Sequence, residues 1–142
     1  STHELEKCEQ YSIFIREQIS FDNLIEIRVF VSNSKITCMS QNDAQKDSEP
    51  IKNPLNIKEN VIKFCKRILT IYEKECFYDY CIDVCICPET YKIMLIEINS
   101  SHKKLAGTSL FDEKVDKFLL DNGNGLIPFR YFCDEFYSID EV

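Results

Sequence analysis

A chain of 142 residues with 44% hydrophobic and 29% charged residues, three glycines and four prolines is sized for one globular domain, and its composition excludes disordered, collagen-like and linker-dominated chains. Gly107, Gly123 and Gly125 cannot supply the GxGxxG or GxxxxGK[ST] loops that cradle phosphates. A formal charge of −7 argues against a nucleic-acid duplex as partner, and no run approaches the roughly 18 apolar residues of a membrane span.

In chain order, Thr2 suits the N-cap of a short helix to about Gln10, with Glu4 and Glu6 in its first turn. Tyr11–Ile19 alternates and is rich in β-branched and aromatic residues, which predicts a strand. Phe21, Asp22 and Asn23 make a turn into a second strand, Ile25–Val31. Ser32–Ser34 then reverses the chain into a third, Lys35 to about Gln41, and the three strands read as a meander. Residues 42–56 turn polar, with Pro50 and Pro54, and read as a long loop. Leu55–Lys74 carries a helical stripe of Ile57, Val61, Phe64, Ile68 and Ile71, with Cys65 and Leu69 beside it, suited to covering one face of the sheet. Phe77–Cys87 and Tyr91–Ile98 read as a β-hairpin around Pro88, Glu89 and Thr90. After a loop from Ser100 to Gly107, Thr108–Asp121 is predicted helical, Asn122–Gly125 a turn and Phe129–Cys133 a last strand. The expected fold class is α+β: a mainly antiparallel sheet of about five to six strands with two or three helices packed on it. One domain spans residues 1–142, with residues 134–142 an acidic tail.

Eight cysteines in an aliphatic-rich chain predict reduced thiols rather than a disulfide scaffold. Cys81, Cys85 and Cys87 lack the paired CxxC spacing of structural zinc, and strand burial accounts for Cys85 and Cys87. The polar start STHELEKCEQ has no secretory pattern, which points to a cytoplasmic protein. The first residue is not Met, so processing or excision from a longer protein stays open.

Side chains alternate across a strand, which predicts Leu95, Glu97 and Asn99 on one face and Met94, Ile96 and Ile98 on the other. The same rule groups Cys81, Asp83, Cys85 and Cys87. A hairpin centred on Glu89 and Thr90 pairs Asp83 with Ile96 or Glu97, bringing two carboxylates and an amide oxygen together. Such hard oxygen donors suit Mg²⁺ when water and phosphate complete its shell. The competing reading is a solvated sheet face on which acidic residues meet water. Arg16 and Arg28 each interrupt an apolar strand and need an anion. Glu17, Glu26, Asp83 or Glu97 would make a structural ion pair, and a nucleotide or substrate phosphate would make a binding site. Lys103 and Lys104 are either further phosphate contacts or ordinary exposed lysines.

The segments IEIRVFVSNSKITCMSQND, the helix after it, YCIDVCICPETYKIMLIEINS and GTSLFDE resemble, in order and spacing, the C-terminal half of ATP-grasp proteins. The nearest branches are the cell division cycle protein 123 family and the ATP-grasp clade marked by two arginines and a lysine. The resemblance runs from about Ser12 to Lys117. It implies an ATP-grasp C-terminal subdomain in which Asp83, Glu97 and Asn99 hold magnesium and Asn99 and Glu97 bridge to the ATP phosphates. It further implies that Arg28 contacts the phosphates or the acceptor in a catalytic role, and that Arg16 is the earlier nucleotide-site arginine. ATP would lie between this subdomain and an N-terminal one that supplies a lysine. That subdomain is not within these 142 residues, and Ser100 to Lys104 replaces the family's aromatic or proline-bearing continuation. A fragment, a naturally reduced chain and a degenerate relative are the three forms this leaves open. Richness in Ile, Lys, Asn, Phe and Tyr is compatible with an AT-rich genome, viral genomes included.

The expected function is therefore the Mg-ATP-binding half of a ligase-type protein, forming an acyl phosphate if catalytic, with ATP and an unknown acceptor as partners. The alternative is a non-catalytic interaction or assembly module that captures a protein through Tyr131–Tyr137 and the loop 42–56. A packed terminal strand or helix is the simpler account of that tail.

Overall fold

The computed structural model describes residues 23–72, 79–99, 107–133 and 139–141. The helix predicted over Thr2–Gln10, the strand over Tyr11–Ile19, Arg16, Lys103 and Lys104 lie outside the described residues.

Alternating β-branched residues form β1 (Ile25–Ser32) and β2 (Lys35–Gln41), joined through Asn33 and Ser34 at φ 48° and 65°. Positive φ at both central residues is the hairpin geometry that matches strand twist. The next segment is less loose than its composition suggests: Asn42 caps a 3₁₀ turn at Asp43–Gln45, and Ile51 is buried. Helix α1 (Pro54–Tyr72) begins at a proline, whose missing N–H costs nothing in the first turn. Strands β3 (Asp79–Ile86) and β4 (Ile93–Asn99) form the predicted hairpin. A short α2 (Lys117–Asn122), β5 (Phe129–Phe132) and β6 (Ile139–Glu141) complete the described elements. Part of the segment read as an acidic tail is thus a strand, paired antiparallel with β5.

The six strands lie in the order β4-β3-β1-β2-β5-β6, antiparallel except for β2 beside β5. The fold is α+β and mainly antiparallel. α1 covers one face, with Ile57, Val61, Cys65 and Leu69 packed over Ile25, Ile27, Val29, Ile82 and Val84. The buried seam follows a four-residue repeat, so Phe64 and Ile68 are only partly buried and Ile71 is 73% exposed, outside the stripe predicted for it. On the opposite face Phe30, Cys38 and Cys81 form a smaller core beneath Phe111 and Leu120. The rest of that face is not covered by either cluster.

Two further expectations are corrected. Thr108–Asp121 is helical only from Lys117, because its polar side chains compete for the backbone. Asp112 accepts hydrogen bonds from the Lys114 and Val115 amides, Asp116 accepts from the Asp112 amide, and Ser109 sits at φ 50°. The simple alternation in β4 also fails. Asp83 pairs with Glu97 but Val84 pairs with Leu95, so Ile96 is the extra residue of a β-bulge. Leu95 therefore joins Ile93 and Ile98 against the α1 core instead of sharing a face with Glu97 and Asn99, and Ile96 is 39% exposed.

Candidate functional site

Cross-strand partners share a face, so the registers assemble one row across five strands: Glu97, Asp83, Arg28, Ser40 and Arg130. Two carboxylates lie at one end, an arginine in the middle and a second arginine at the far end. Four carboxylates were candidates for the partner of Arg28, and the register selects Asp83. The Arg28 Nε donates to Asp83 Oδ1 and Nη2 to Oδ2, each at 2.9 Å, and Nη1 donates to the Gly107 carbonyl at 3.0 Å. Both side chains are largely buried. The hydrogen bonds with Asp83 raise the Arg28 pKa further above its ordinary value, against burial, which lowers it; the charges of Asp83, Cys81 and Glu97 add to the rise. Arg28 is a fixed cation at every physiological pH.

Glu97 is exposed beside Asp83, and Asn99 stands one place along the same face, opposite Cys81. The predicted trio of Asp83, Glu97 and Asn99 is thus brought together at the margin of the small core. Both Asp83 oxygens already accept from Arg28, yet a carboxylate has about four lone-pair sites, so the pair leaves acceptor capacity on the same oxygens. Among the described residues no three His, Cys, Asp or Glu side chains cluster to hold an ion. A cation here would need the Asn99 amide oxygen and ligands from outside the chain beside the carboxylates, the manner in which Mg²⁺ is ordinarily held.

Arg28 also reaches a polar cavity of about 410 Å³ lined by Asn42, Asp43, Gly107, Thr108 and Ser109. A second arginine, not among the residues singled out from the sequence, fixes the segment that follows Ser109. Arg130 forms a bidentate pair with Asp116 at 2.7 and 3.1 Å and lies 4.2 Å from the Phe111 ring centre, while Ser40 Oγ accepts the Leu110 amide. Burial pushes the Asp116 carboxyl up, but hydrogen bonds from Arg130 and the Asp112 amide, with the charge of Arg130, leave it below its ordinary value. Arg130 carries the same signal as Arg28, an arginine interrupting an apolar strand, in Phe129–Phe132.

An α+β domain whose sheet carries an arginine–carboxylate row beside a polar cavity is the class that fold and site define. The D123 family model, that of the cell division cycle protein 123 family, matches residues 1–115. The chain belongs to this family. No curated protein and no solved structure matches it. Among the described residues no helix is long and apolar enough to cross a membrane.

Proposed function

We propose that this chain is the Mg-ATP-binding half of an ATP-grasp ligase-type protein, located in the cytoplasm, with the nucleotide phosphates on the Glu97–Asp83–Arg28 row. The supporting observation is that row itself: a fixed cation with two carboxylates in line on one side of it, next to a polar cavity. Asp83, Glu97 and Asn99 would hold Mg²⁺, which when bound neutralises phosphate oxygens. Arg28, oriented by Asp83 and Gly107, presents positive charge to the transferring phosphoryl group, and the cavity is the place for an acceptor carboxylate. Catalysis in such a site is mostly positioning and charge stabilisation. Calorimetric titration of ATP with and without Mg²⁺ tests the reading. Magnesium-dependent binding is expected, lost in Glu97→Gln with an unchanged circular dichroism spectrum. Absence of ATP binding by the folded chain overturns it.

A second reading, a non-catalytic assembly module on the same scaffold, is favoured by one observation: Arg28 is held from both sides by groups of the chain itself, Asp83 and the Gly107 carbonyl. Under that reading Asp83→Asn loosens the site without altering any nucleotide affinity.

A further inference from the structure

On the sheet face away from Arg28, α1 and the edge strand β4 enclose a groove of about 300 Å³ lined by Asn60, Lys63, Phe64, Arg67, Tyr91 and Ile93. Phe64, Tyr91 and Ile93 give it an apolar part, and Lys63 and Arg67 give it two cations. Tyr91 closes one end, its hydroxyl accepting hydrogen bonds from the side-chain amides of Asn53 and Asn56. The Arg67 guanidinium lies 5.6 Å from the Phe64 ring centre, which leaves it facing the groove. In a chain of charge −7, Lys63 and Arg67 are exposed and in no ion pair among the described residues, where the salt bridges are Arg28–Asp83, Lys117–Asp121 and Arg130–Asp116. Glu59, one turn before Lys63, is not bonded to it.

Among the described residues β4 ends the sheet on this side, and an edge strand presents main-chain groups that another strand can pair with. The bulge at Ile96 turns the edge, so the regular stretch beside the groove is the short run Ile93–Leu95. We infer that this edge and groove bind a short, extended acidic peptide of a partner protein, added to β4 as a further strand with alternate carboxylates on Lys63 and Arg67. The spacing agrees. Side chains two apart on a strand are separated by about 7 Å, and residues four apart on a helix by about 6 Å along its axis. A motif of two acidic residues separated by one residue therefore fits the two cations. Symmetric pairing with a second copy would bring like charges together. The inference does not rest on the nucleotide reading, because the groove and the Arg28 row lie on opposite faces.

The test uses the whole chain and fluorescein-labelled heptapeptides: TVEVEVT, its lysine counterpart TVKVKVT, and TVEVEVT methylated on alternate main-chain nitrogens. Fluorescence anisotropy should show saturable binding of the acidic peptide alone. Affinity should fall about tenfold or more in Lys63→Glu/Arg67→Glu, and amide exchange at Ile93 and Leu95 should slow on binding. No saturable binding up to about 1 mM peptide, equal binding by the lysine peptide, or undiminished binding of the methylated one each overturns the inference. Sedimentation at twice the chain mass, with the Ile93 and Leu95 amides already slow to exchange without peptide, overturns it in favour of a second copy. The peptide series on the unaltered chain decides the matter even if the charge reversal disturbs folding.

Discussion

Arg28 shows how a single residue acquires its role. The strand IEIRVFV demands an anion for a guanidinium set among Ile, Val and Phe, but four carboxylates could have met that demand. The choice of Asp83, 55 residues away, belongs to strand order and register. The pair is bidentate and mostly shielded from water, so removing one partner leaves the other charge poorly compensated. Asp83→Asn should destabilise the chain by about 2–3 kcal/mol in urea denaturation. Arg28→Met with Asp83→Leu should recover part of that loss, giving a coupling energy of about 1–3 kcal/mol in a double-mutant cycle. Additive losses would mean that the pair contributes little. Arg130 and Asp116 repeat the arrangement, and their pairing was illegible for the same reason.

At the scale of elements, most boundaries were readable because their signals are local. The turn at Asn33–Ser34, the strands on either side and the start of α1 near Pro54 each depend on residues a few positions apart. The segment before α2 misled because Thr, Ser and Asp at a helix start are also the residues that build turns. The bulge in β4 misled differently. Alternation assigns Ile96 to the core side and Leu95 to the open side, and one extra residue exchanges them. Leu95→Ala should therefore cost about 1–2 kcal/mol, and Ile96→Ala no more than about 0.5 kcal/mol. Denaturation curves with the reverse ranking would return β4 to regular alternation.

For the whole molecule, one helix laid across the central strands makes the sheet and α1 a single cooperative body. Ile57 is fully buried against that sheet, so Ile57→Ala should lower stability by about 2–4 kcal/mol. The loss should appear as the same shift in far-ultraviolet circular dichroism and in tyrosine fluorescence, the natural probe of a chain without tryptophan. Transitions that separate would show that helix and sheet unfold independently. The sequence by itself determined the α+β class, the β3–β4 hairpin, the Asp83–Glu97 neighbourhood and the scarcity of glycine that rules out a phosphate loop, since composition, periodicity and turn residues act over short stretches of chain. Only the tertiary structure decided which carboxylate holds Arg28, which face Leu95 takes, how β5 joins β2 in parallel and how Arg130 pairs with Asp116. Those contacts join residues far apart in sequence, and their geometry is set by how strands order and register against one another.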